Sequence, residues 1–208
     1  YEISACLVGS EMCIRDRSTP KTKMKSLMKF FDHSELSGSH AFLSASKYHW
    51  LNYDEEKLLK VFENSRAAQL GTELHALASE HIRLGVPMPD TDDSICKFVN
   101  DALDYGMSSE VVLFYSYYCY GTADAISFDG ELLRIHDLKT GTGKTSMSQL
   151  EIYAALFCLE YDMAPDMAIQ LRIYQNNSVT THVPDADRIQ SIMKKIVAFN
   201  SLLEGHTK

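Results

Sequence analysis

The sequence predicts an α/β protein of the α+β kind: a mixed central sheet flanked by helices, with a helical N-terminal region. Three observations carry this prediction. Apolar residues recur at helical spacing over residues 54–85, 93–105 and 185–203. The run Glu110–Tyr120, EVVLFYSYYCY, is β-branched and aromatic, which suits a strand. Asp-Gly and Asn-Asn turn signals then set off further short strand-like runs. At 208 residues the chain can bury a proper core. It reads as one domain, residues 39–208, behind a leader (1–17) and a linker (18–38).

The leader is expected to be non-native. Cys6–Arg17, CLVGSEMCIRDR, has no periodicity and is similar to one translated frame of a sequencing adapter. Residues 18–29 are basic and polar, and residues 34–46 are rich in serine and glycine. The run HAFLSASKYHWLNY then predicts a helix capped by Ser44 or Ser46, with Tyr48 and Trp50 in the core.

Asp54–Gly85 reads as one long helix or two abutting ones, stopped by Gly85-Val86-Pro87. Asp93–Tyr105 is a further amphipathic helix with Ile95, Phe98, Val99 and Leu103 inward. Glu110–Tyr120 is expected to form one strand whose tyrosines pack in the core rather than stack on bases. A hairpin follows, turning at Asp129-Gly130. Ser148-Gln149-Leu150-Glu151 has the form of a capping box and opens the next helix. Ala168–Gln175 and Val179–Val183 are strands about an Asn176-Asn177 turn, and Asp185–Leu203 closes the chain as an amphipathic helix.

The chemistry concentrates between Gly121 and Tyr153. Asp137 and Lys139 are two apart on a strand and so share a face. With a two-residue turn at Asp129-Gly130, Asp124 lies opposite Ile135, diagonal to Asp137 and on its face. Two carboxylates and an ammonium then converge, and paired hard oxygen ligands suit Mg²⁺ or Mn²⁺. Gln149 and Tyr153 are four apart and share a helical face, with Leu156 a turn further on.

The series Gly121-x-x-Asp124, Asp137-x-Lys139, Gln149-x-x-x-Tyr153 resembles the PD-(D/E)XK nuclease superfamily, in its RecB-like exonuclease branch, which includes CRISPR-associated and phage-type members. Gly71-Thr72-Glu73-Leu74-His75 matches the upstream histidine helix of that branch. The resemblance spans roughly Ser39 to Val183. It implies a restriction-endonuclease-like αβββαβ core and a Mg²⁺- or Mn²⁺-dependent deoxyribonuclease acting in recombination or repair. The implied ligands are His75, Asp124, Asp137 and the Leu138 carbonyl. Lys139 would position or deprotonate the attacking water, or neutralise the phosphate, and Gln149 and Tyr153 would line the site. A Ser-x-Ser helix such as the one at Ser44 packs beside the active site in the family.

The implied partner is DNA, with linear or single-stranded ends and no base-reading module in view. A net charge of −8 argues against a protein that coats DNA through bulk positive charge. It leaves room for a nuclease with an acidic metal centre. No run approaches the roughly 18 apolar residues of a membrane span, and the cytoplasm is the expected compartment. Some relatives hold an iron–sulfur cluster on four cysteines. With Cys6 and Cys13 set aside, only Cys96, Cys119 and Cys158 remain, so no cluster is expected.

Thr142-Gly143-Lys144-Thr145 imitates the end of a phosphate-binding loop. The glycine required five positions before Gly143 is replaced by Leu138. Lys144 remains a candidate for meeting a DNA phosphate. Two rival functions stand beside the nuclease. One is a non-catalytic DNA-binding or assembly subunit. The other is a zinc hydrolase using His75, Glu80 and His81 with Asp137, whose spacing fits no zinc motif. Glu73 is a further acid on the same helix.

Overall fold

The computed structural model describes residues 31–206. The expected leader, and the linker as far as residue 30, lie outside the described residues. Two compact units divide the chain, Tyr1–Ser46 and Lys47–Lys208. In the first, the described residues include one 3₁₀ turn, Ser34–Leu36. The helix expected around Ser46 is instead a pair of 3₁₀ turns over Ala45–Asn52, interrupted at Lys47 (φ −107°, ψ 47°). Ser44 and Ser46 join hydroxyls at 2.7 Å, a local bond that competes with helical backbone pairing. Tyr48, expected in the core, is exposed.

The second unit is a five-stranded mixed sheet between two layers of helices. Helix α1 (Glu55–Leu84) is one continuous helix. The Asp54 carboxylate accepts from Lys57 N at its start, and Gly85 ends it in the left-handed region at φ 67°. Helix α2 (Ser94–Asp104) buries Cys96, Phe98, Val99 and Ala102. Strands β1 (Ser108–Ser116), β2 (Cys119–Phe128) and β3 (Leu132–Leu138) form an antiparallel meander. Helix α3 (Ser148–Glu160) then crosses to β4 (Ala168–Gln175), which runs parallel to β3. Strand β5 (Ser178–His182) returns antiparallel through Asn176 and Asn177, both at positive φ. Helix α4 (Ala186–His206) follows. The strands lie in chain order, β1-β2-β3-β4-β5.

Two cores sit on the two faces. Leu113, Leu133, Ile135, Leu171 and Ile173 meet α3, with Ile189 of α4 reaching the same cluster. Ala125, Leu138 and Tyr174 meet Ala78 and Ile82 of α1 and Phe98 and Val99 of α2. On that second face a polar chain runs inward: half-buried Arg172 pairs with Asp101 at 2.8 Å, and the hydroxyl of buried Tyr174 joins Asp101 to His136 Nδ1. Burial, then the Arg172 and Arg134 charges, push His136 down to about 3, so it is neutral at pH 7. No helix among the described residues is long and apolar enough to cross a membrane.

Three local expectations are corrected. Glu110–Tyr120 is not one strand, because Tyr117 and Tyr118 form a turn between β1 and β2. Tyr117 and Tyr120 are therefore exposed rather than packed in the core. The capping box at Ser148 does not form. Glu151 is instead buried against Arg188 (2.9 Å) and His182 (3.5 Å), where an ion pair satisfies a carboxylate that a solvent-exposed cap would not need. Leu156 lies in the core and takes no place beside Gln149 and Tyr153.

Candidate active site

Helix α1 reaches the sheet through a glycine. A Cβ on Gly71 would fall 2.6 Å from Thr140 Oγ1, so only glycine lets the helix close on the segment just past β3 without displacement. One turn later, His75 Nδ1 lies 3.4 Å from Asp124 Oδ2. The histidine that the resemblance singled out thus arrives at the first of the expected carboxylates.

The carboxylates converge where β2 and β3 part. Their ladder ends at Ala125 with His136. Beyond it, Asp124 Oδ2 accepts a hydrogen bond from Leu138 N at 2.9 Å. A carboxylate thus takes up the backbone donor that the ladder no longer pairs. The expected register is two residues out. Phe128 pairs with Leu133, and the turn between them is built on Asp129, whose Oδ1 accepts from Glu131 N and Leu132 N. Extending this register by one residue sets Asp124 across from Asp137 rather than Ile135.

Regular alternation breaks at Asp124, since Ala123 and Ile135 belong to the core under α3 while Ala125 belongs to the core under α1 and α2. Asp137 follows Ile135 toward α3, and Asp124 sits at the break, where His75 of α1 reaches it. They meet because the strands fork, and His75 bears electrostatically on both.

Lys139 follows Asp137 on the α3 side, as expected. Its Nζ lies 3.0 Å from Asp137 Oδ1 and 2.9 Å from Oδ2. It also donates to Gln149 Oε1 at 2.9 Å, and Gln149 Nε2 donates to the Tyr153 hydroxyl at 3.1 Å. A Cβ on Gly121 would lie 2.8 Å from Tyr153 Cε1, so this glycine makes room for the ring that ends the chain of bonds. Lys139, Gly141, Gly143, Lys144 and Gln149 line an open cleft beside it.

One acid escaped sequence reasoning. Glu110 stands opposite Asp124 at a rung missing between the Ser109–Ala125 and Val111–Ala123 pairs, and its φ is 53°. Ligand atoms of His75, Glu110 and Asp124 all lie within 4.8 Å of one another. A positive φ is costly for a residue with a side chain, and such strain concentrates at functional positions. Nothing in the β-branched run EVVLFYSYYCY signals it. Only the pairing with β2 gives the position meaning.

The electrostatics favour a cation. Burial, and then the neighbouring Asp137 carboxylate, push Asp124 up to about 6, against the Leu138 N–H and His75. Burial also raises Asp137, opposed by Lys139. Asp137 is 2% exposed, and its buried Oδ2 has no hydrogen bond, being close to Lys139 Nζ but not aligned with it. The two clustered carboxylates of Glu110 and Asp124 and the His75 imidazole form a donor set that fits a hard divalent ion, with Asp137, which is outside that cluster, near enough to act on Asp124 electrostatically. The remaining candidates on α1 are elsewhere engaged. Glu80 pairs with Arg83 at 2.7 Å, His81 Nδ1 meets Val86 O at 2.9 Å, and Glu73 accepts from Gln69. Among the described residues, the zinc grouping of His75, Glu80 and His81 with Asp137 is not assembled. The chain matches no family model, no curated protein and no solved structure.

Proposed function

We propose that the chain is a metal-dependent deoxyribonuclease of the restriction-endonuclease-like, RecB-like kind, hydrolysing phosphodiester bonds of DNA. The single observation that carries this reading is the bonded chain Asp137–Lys139–Gln149–Tyr153 set beside the Asp124–His75 pair at a strand fork. It brings together every side chain that the motif series implied, from two strands and two helices.

His75, Asp124 and Asp137, with the Leu138 carbonyl and Glu110, would hold Mg²⁺ or Mn²⁺. When bound, such a cation supplies Lewis acidity at the phosphate and acidifies water for attack. The protein's own part is positional. Asp137 and Gln149 grip the Lys139 ammonium from two sides, so its charge is preorganised beside the carboxylates. That charge offsets negative charge developing on the phosphate. Tyr153 fixes the Gln149 amide, and Gly121 admits the Tyr153 ring. The element order, three strands, a helix and a fourth strand parallel to β3 behind helical segments, supports this reading.

The test is incubation with end-labelled linear and closed circular DNA, with Mg²⁺, Mn²⁺ or excess EDTA. Digestion of linear DNA that requires the cation is expected. Equal digestion in EDTA would refute the metal assignment.

A further inference from the structure

The outer face of the β1–β2 hairpin takes no part in the chemistry above, yet it leads away from it. On β1, Val112 and Phe114 alternate onto one face just beyond Glu110, and Phe114 pairs with Tyr120 of β2. This is the face opposite α3, whose core takes Val111 and Leu113. The rings of Phe114 and Tyr120 stack with centroids 6.3 Å apart, and Tyr117 meets Phe114 edge-on at 5.6 Å. All three rings are open to solvent: Tyr117 is 90% exposed, Tyr120 62% and Phe114 40%. Val112, between the rings and Glu110, is also exposed. Four residue steps lead from Glu110 to Phe114, a span of about 13 Å.

We propose that this aromatic strip is a base-stacking platform for single-stranded DNA, delivering the strand to the carboxylates at Glu110 and Asp124. The proposal rests on the nuclease reading and names the substrate form. Three features argue for it. The strip begins two residues along β1 from Glu110, which belongs to the candidate site. Its rings already brace one another, so little ordering is needed to receive a base. None of Glu110, Val112, Phe114, Tyr117, Tyr120 and Thr122 is a cation. Phosphate neutralisation, which holds single and double strands alike, is not offered by this strip, so what it can take is the base face that a duplex buries. A single strand offers base faces, which aromatic rings take without regard to sequence.

The experiment is fluorescence anisotropy in chelator-containing buffer, with a labelled oligothymidylate and a blunt duplex of equal length. Wild type is expected to bind the single strand more tightly, with a shallow salt dependence. Tyr117→Ala/Tyr120→Ala is expected to lose roughly ten-fold or more in single-strand affinity, with its melting temperature checked separately. Tyr117→Phe/Tyr120→Phe, which keeps the rings, is expected to restore it. A double alanine variant that binds the single strand as wild type does overturns the proposal. So does a wild type that prefers the duplex or binds neither, which would leave the strip to a protein partner. Lys139→Ala separates this proposal from the nuclease reading, since it is expected to bind the oligonucleotide normally while losing cleavage. Unimpaired cleavage by Lys139→Ala strikes the nuclease reading alone.

Discussion

Asp124→Asn should stabilise the metal-free protein at neutral and alkaline pH, and the effect can be sized. Burial and Asp137 raise Asp124 from its ordinary 3.8 to about 6. Between those values the native state holds a proton that the unfolded chain has released, so stability falls as pH rises. Above pH 6 the loss is complete, at about 3 kcal/mol. The Asn amide oxygen can still accept from Leu138 N, so the substitution removes the charge and keeps the bond. His136 pulls the other way. Its folded value near 3 lies below its ordinary 6.5, so its contribution is whole above 6.5 and drains away as pH falls. The two slopes nearly cancel between about pH 4 and 6, where each amounts to about 1.4 kcal/mol per pH step. Asp137, also raised by burial, adds to the Asp124 side, so wild type should vary less with pH there than Asp124→Asn does. Asp124→Asn should lose stability with falling pH at about that rate, and above pH 6.5 should melt roughly 6 °C or more higher. Urea unfolding in EDTA at pH 4.5, 5.5, 6.5 and 8 measures both. An Asn variant less stable than wild type at pH 8 would refute the electrostatic account of the site.

Three further outcomes are expected. Saturating Mn²⁺ should raise the melting temperature of wild type, with about 2.7 kcal/mol of stabilisation at a hundred times Kd, and should leave Asp124→Asn nearly unmoved in a thermal-shift titration. Glu110→Gln should weaken that Mn²⁺ response without altering the melt in EDTA by more than about 1 kcal/mol, since Glu110 is exposed; an unchanged response would remove Glu110 from the donor set. Gly121→Ala should cost about 1–3 kcal/mol through the clash with the Tyr153 ring. In a double-mutant cycle with Tyr153→Ala most of that cost should vanish, and additive losses would contradict the contact.

How far the sequence could be read depended on whether a feature was local. The α1, α2, β4 and α4 segments carry their own period and caps, and they stand close to their expected bounds. Gly71, Gly121, Lys139, Gln149 and Tyr153 were legible as a spaced series, and the structure explains the glycines as close approaches. The β1–β2 turn was missed because Tyr117-Tyr118 carries none of the usual turn residues in an otherwise continuous β-prone run. The hairpin register was missed because Asp129 builds a longer turn through its own side chain. Both errors are failures of long-range pairing to show in local pattern. Glu110 was lost with them, since its φ of 53° and its place opposite Asp124 exist only once the strands pair.

The most direct measurement is cleavage of end-labelled linear DNA by wild type, Lys139→Ala and Asp137→Ala over a range of Mn²⁺ concentrations. Lys139 is partly exposed and held by Asp137 and Gln149, so its removal should spare the fold. It should slow cleavage some hundreds-fold, the equivalent of roughly 3 to 4 kcal/mol of transition-state stabilisation. Raising Mn²⁺ should partly rescue Asp137→Ala, whose defect lies in binding the ion, and should not rescue Lys139→Ala. Cleavage by Lys139→Ala at the wild-type rate would contradict the nuclease assignment.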